Sequence, residues 1–202
     1  MVFDVLIIGG GVSGMSAAIS LGSAKEFPFA KDKAIGIIAH QRSSSLQNAL
    51  FNNVIGLTPG TLGSNIMTEG IEQIKTLYPH VEIIENEKVL SIEENEFITV
   101  NSNKNTYQAK KIIIAVGPKN FAIKGLESFE EKHEKLDPEK ERTQLKNTNH
   151  VVKENIYVTG VLAGHRSQYA IALGSGAMVA MDILSEWNDG KPVKVHDKIT
   201  PQ

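Results

Sequence analysis

Three glycine-bearing segments, far apart in the chain, have the residue types that let a backbone hold a phosphate: Gly9-Gly10-Gly11-Val12-Ser13-Gly14, Ala115-Val116-Gly117 and Tyr157-Val158-Thr159-Gly160. The first has Gly-x-Gly-x-x-Gly spacing. In that pattern Gly9 permits a tight turn, Gly11 lets a pyrophosphate reach the main chain, and Gly14 lets a helix pack closely on a sheet. The amides at Val12 and Ser13 would stand at the positive end of a helix dipole, where an anion is held. The chemistry implied is dinucleotide binding. No Ser/His/Asp spacing and no metal-ligand cluster stands out, so the sequence names no catalytic residue and no metal site.

Each glycine segment follows an apolar, largely β-branched run, so each falls where a buried parallel strand ends. Residues 4–8, 111–116 and 155–159 read as those strands, and the first is followed by a helix over about 13–24. The rim beyond such strand ends is where open α/β sheets bind ligands. The expected fold is therefore α/β, a Rossmann-like domain with a parallel central sheet. A further strand at residues 34–39 lacks the acidic residue that often follows it to bind the adenosine ribose. Gln41 or His40 could hydrogen-bond a hydroxyl there, as could Arg42 and Ser43 to Ser45, or nothing specific binds at that point.

The polar, turn-rich stretch from Gln47 to Gly60 is expected to form a loop over the ligand edge of the sheet. An amphipathic helix is expected over 63–77. Short runs at 81–84, 88–92 and 97–100 predict a small antiparallel β excursion. Residues 127–142 carry charges of both signs, and their composition predicts a solvated surface segment, either a helix with opposite-charge pairs or a mobile linker. His133 within it has no partner nearby in sequence. A last helix over 168–187 is small-sided; Gly174 and Gly176 each cost it about 1 kcal/mol, which close packing or a bound ligand must offset.

Composition narrows the field further. The 202 residues are enough for one domain with a sizeable core, and 41% hydrophobic with 22% charged residues is ordinary for a globular protein. A formal net charge of -2 gives no general attraction to nucleic acid or to an anionic membrane, and no apolar stretch is long enough to span a bilayer. With no cysteine, the chain has no disulfide, no thiolate metal site and no dithiol redox pair. The first strand begins almost at Met1, leaving no room for a targeting peptide, so a cytoplasmic protein is expected.

Together these segments resemble the FAD-binding domain of the thioredoxin-reductase-like flavoproteins, a branch of the pyridine nucleotide-disulfide oxidoreductases. The resemblance covers residues 4–14, Ala115-Val116-Gly117-Pro118, Gly125-Leu126-Glu127, residues 155–160, and His165-Arg166-Ser167-Gln168 running into Ile171-Ala172-Leu173-Gly174-Ser175-Gly176-Ala177. It implies FAD as cofactor, with Gly9, Gly11, Val12, Ser13 and Gly14 at the pyrophosphate, the backbone of Val89 at the adenine, and Gln41, Ala115, Gly117, Gly160, Val161 and Gln168 along the rest of the molecule. His165 and Arg166 are candidate flavin or substrate contacts. Family members insert an NADPH domain between two halves of the FAD domain. Here the halves, about 1–126 and 143–190, are joined only by the charged segment, so one FAD domain and an external electron donor or redox partner are expected. Members also carry Gly-Asp where this chain has Gly160-Val161. The resemblance implies a homodimeric oxidoreductase; the lost aspartate and cysteines leave a non-catalytic flavin module, sensor or regulatory subunit as the alternative.

Overall fold

A computed structural model describes residues 1–40 and 44–196. In chain order the elements are β1 (Val2–Ile8), α1 (Val12–Gly22), β2 (Ile35–Ala39), β3 (Leu50–Phe51), β4 (Thr61–Leu62), α2 (Gly63–Leu77), β5 (Val81–Glu85), β6 (Val89–Glu94), β7 (Ile98–Ser102), β8 (Thr106–Ile114), β9 (Glu130–Lys132), β10 (Thr143–Leu145), β11 (Val151–Lys153), β12 (Ile156–Val158) and α3 (Tyr169–Trp187). The main sheet runs β11-β12-β8-β1-β2-β5. Strands β12, β8, β1, β2 and β5 are parallel, with β5 at one edge, and β11 is antiparallel at the other.

Continuous apolar runs form these strands because both faces of the sheet are covered. Val5 and Ile7 of β1, Ile37 of β2, Ile113 of β8 and Tyr157 of β12 face a core closed by α1, α2 and α3. Their neighbours Leu6, Ile8, Ile38, Ile112, Ile114 and Val158 face a second core closed by β6, β7 and the chain beyond β8. The period of two is therefore present in space although every position is hydrophobic. Truncating one of the fully buried isoleucines to alanine removes about 2–5 kcal/mol.

Residues 106–110, expected to lie outside the buried strand, belong to it. β8 is one nine-residue strand whose first part pairs antiparallel with β7 while it continues parallel beside β1. Of the three runs expected to form the antiparallel excursion, the first is instead β5, a parallel strand of the main sheet beside β2, because its apolar residues continue the buried sheet. Only β6 and β7 form the excursion, and β8 fixes them to the main sheet. The charged segment is neither a helix nor a linker. It forms a short 3-10 turn at Glu127–Phe129 and then the hairpin β9/β10. His133 is buried there, and its Nε2–H donates to Val161 O (2.9 Å) while its Nδ1 accepts from Lys135 N (3.1 Å). Between Ile114 and Ile156 the chain makes only this turn, two small hairpins and connections, so it has no second nucleotide-binding unit.

Candidate functional site

The C-terminal ends of β1, β2, β8 and β12 form one rim, and the backbone ladder continues into it. Gly9 N donates to Ile38 O, Ala115 N to Ile8 O and Thr159 N to Ile114 O, at 2.8–2.9 Å. Three of the predicted segments thus meet at one edge, with the start of α1 between them.

Two of the opening glycines are required by packing. Gly9 has φ +121°, and a Cβ on it would lie 2.6 Å from Ala115 O; a Cβ on Gly14 would lie 1.9 Å from Gly9 O. Gly11 and Gly117 differ, because a Cβ on either meets nothing within 4 Å. They face open space at the rim, as ligand-facing glycines do. Gly11 is the N-cap of α1, is extended (φ -82°, ψ -173°), and offers no side-chain cap to the helix. The first-turn N–H groups are therefore left for an anion. Val12 lies half-buried at the helix head and Ser13 is buried.

At the far end, Gly160 (φ +70°) begins a 3-10 turn, Gly160–Ala163, that closes at Gly164 (φ +83°). The Gly160 N–H donates to Ser175 Oγ on α3 at 2.8 Å. Ser16 Oγ on α1 donates to Leu173 O at 2.8 Å, and a Cβ on Gly176 would lie 2.0 Å from Ser13 O. Close backbone packing of α1 on α3 accounts for Gly176, while Gly174 faces a cavity wall. The hydroxyl of Thr159 is fully buried and unpartnered. Val161 is half-buried and its carbonyl accepts from His133, so the Gly160–Gly164 turn is supported by the charged hairpin.

Gln168 is the N-cap of α3; it is exposed and its side chain makes no cap hydrogen bond. Tyr169 stacks at a tilt on Phe51, ring centroids 5.0 Å apart, which brings the β3/β4 hairpin against the head of α3. Arg166 is exposed. His165 is half-buried, and burial followed by the charges of His150, Lys135 and His133 holds its pKa below the ordinary histidine value. Val89 is buried and pairs with Ser102 in the antiparallel excursion. Gln41 lies outside the described residues, but His40 next to it has a buried, unpartnered Nδ1. Among the described residues no group of three or more His, Cys, Asp or Glu side chains is arranged to hold a metal ion.

Ser175, Ser16, His133 and Phe51 were not legible as site residues, because their partners lie 15–157 positions away or on other elements. The serines in a small-sided helix were the one local signal. The cradle has the chemistry for a diphosphate, with open main chain at Gly11 and Gly117 and no carboxylate in the first turn of α1. A nucleotide's phosphates would be held by Gly11, Val12 and Ser13.

A family model, pyridine nucleotide-disulphide oxidoreductase, matches residues 3–180, and the chain belongs to that family. Among solved structures it is similar to an oxidoreductase from Agrobacterium tumefaciens, with a TM-score of 0.73 at 15% identity over 95% of this chain and 100% of that one. It is also similar to a ferredoxin-flavin thioredoxin reductase from Clostridium acetobutylicum, TM-score 0.67 at 16% identity over 94% and 98%. A thioredoxin reductase from Lactococcus lactis gives 0.68 at 14% identity over 93% and 99%. At these identities the likeness is one of fold. No curated protein matches the sequence. No helix among the described residues is long and apolar enough to cross a membrane.

Proposed function

We propose that the protein is an FAD-binding flavoprotein oxidoreductase that takes its electrons from an external donor. The observation that carries this reading is the uncapped head of α1 with Gly11 facing open space, at the rim shared with Gly117 and Gly160. Gly11, Val12 and Ser13 would hold the diphosphate, Gly117 would allow close approach beside it, and His40 Nδ1 is an unpartnered polar atom at the ribose end. When bound, the flavin supplies hydride and electron transfer, and the protein supplies position and electrostatics. The α3 N-terminus, with no side-chain cap and no acidic residue in its first turn, favours negative charge placed against it.

Two features of the sequence support the external donor. Residues 115–155 include no second nucleotide-binding unit, and the 202-residue sequence has no cysteine for a dithiol centre. A homodimer belongs to the same reading and is checked by light scattering. A second reading, a flavin module that works by association without turnover, is favoured by the far end of the rim, where the Gly160 amide is already bound and Val161 brings no charge.

The test is spectroscopic. Purified protein, as isolated or after addition of FAD, is expected to show flavin absorption with a bound cofactor identified after release. It should stay oxidised when mixed anaerobically with NADPH alone and bleach when a reduced ferredoxin or flavodoxin is added. A protein that takes up no FAD overturns the reading, rapid bleaching by NADPH alone overturns the external donor, and bound flavin that no donor reduces selects the second reading.

A further inference from the structure

His150 and His165 meet in a cavity of about 680 Å³ walled by α3 and the turn before β11, next to the Gly160 end of the rim, where Ser175 lines it. His150 is held tightly. It is buried, its backbone N–H donates to Asn147 Oδ1 (3.1 Å), and its ring Nδ1 lies 2.9 Å from Val158 O. A carbonyl oxygen can only accept, so Nδ1 carries the proton and the Nε2 lone pair of the neutral ring points away from it. That arrangement, one ring nitrogen donating to a backbone carbonyl and the other free, is how proteins orient an imidazole to bind a metal.

The free Nε2 faces the second histidine. His165 Nε2 lies 3.4 Å away, with the rings tilted by 46°. This is long for a hydrogen bond between ring nitrogens. Two imidazole nitrogens on one tetrahedral ion, each bonded at about 2.0–2.1 Å, stand about 3.3–3.4 Å apart. Asp182 lines the same cavity. It adds negative charge without completing a three-residue ligand set. The charge that opposes a cation comes from Lys135 on the hairpin side of His165.

We propose that His150 Nε2 and His165 Nε2 form a two-imidazole site for a borderline transition-metal cation such as Zn²⁺ or Ni²⁺, with solvent completing the coordination. Imidazole suits these ions, and a site of only two protein ligands leaves open positions. Because the ion requires both rings neutral, binding weakens as pH falls through the histidine range. His165 sits on the loop that leads into α3, so an ion there would tie that loop to the turn before β11, at the edge of the sheet.

The test uses untagged full-length protein titrated calorimetrically with Zn²⁺ and with Ni²⁺, with and without added FAD. One saturable site is expected, and His165→Ala and His150→Gln should each weaken it by about tenfold or more. Circular dichroism and thermal melts establish that each variant is folded, and X-ray absorption at the zinc edge should count two imidazoles per ion. Because the metal titration is read without reference to flavin, failure of FAD binding leaves its outcome intact. Absence of saturable binding up to roughly 1 mM metal overturns the site, as does unchanged affinity in a folded His165→Ala protein.

Discussion

The phosphate loop at Gly9–Gly14 and the turn at Gly160–Gly164 end two strands of one sheet, and both are rich in glycine. At the first, Gly9 and Gly14 are consumed by contact with backbone, while Gly11 is left facing open space under an uncapped helix. At the second, the Gly160 amide is bound by Ser175, the Val161 carbonyl by His133, and Gly164 lies against Gln144. One turn is open to a ligand and the other is closed on protein. A glycine motif thus divides into positions set by packing and positions set by a ligand, and the space that a Cβ would enter separates them.

The sharpest way to break this comparison is to replace a packing glycine. Gly176→Val would drive a side chain into the backbone of Ser13, and a loss of about 3 kcal/mol or more is expected, read as a large drop in melting temperature or no soluble protein. Gly11→Ala is the counterpart. With nothing within 4 Å, it should change stability by less than about 1 kcal/mol yet weaken FAD binding about ten- to hundredfold, measured by flavin fluorescence titration. If both variants behave alike, the division is wrong.

Two changes at the far turn sharpen the contrast. Val161→Asp places a carboxylate at the half-buried position that carries none, and it should tighten FAD binding about tenfold, the value of one charge-assisted hydrogen bond. His133→Ala removes the donor to Val161 O and the acceptor for Lys135 N, and it should cost about 1–2 kcal/mol of stability without weakening a diphosphate held at Gly11. Chemical denaturation measures the first quantity and titration the second.

The smallest effect concerns pH. Burial, then nearby positive charge, sets the folded pKa of His165 below 6.5, so the unfolded chain binds the proton more readily in the window beneath that value. The stability contributed by neutral His165 is therefore complete above pH 6.5 and is lost as pH falls through the folded pKa. His165→Gln should flatten the fall in melting temperature between about pH 7 and 5. An identical slope in the variant would remove His165 as its source.

Strands, their order of burial and the opening loop were legible because their signals are local. Ile112, Ile113 and Ile114 can only be interior, and the spacing of Gly9, Gly11 and Gly14 is explained by contacts within and just beyond the motif. β8 was shortened in the sequence reading because its first residues alternate polar and apolar while they pair with β7, and become uniformly apolar only beside β1. The charged hairpin was misread for a different reason. Its acidic and basic side chains are exposed as composition suggests, but its place is fixed by His133, Gln144 and Leu145 against a turn that begins some fifteen or more residues later in the chain. The Phe51 contact with Tyr169 spans more than a hundred positions and leaves no periodic trace.

The seam between α1 and α3 has a consequence for synthesis. Ser16 and Leu173, joined across it, are 157 positions apart, and the parallel strand β1 must wait about a hundred residues for β8. Such a topology cannot be completed before α3 is synthesised, since α1 lacks its partner until then. Nascent chains arrested before α3 should bind holdase chaperones and be cut readily by protease, whereas arrest after Trp187 has cleared the exit tunnel should give abrupt resistance.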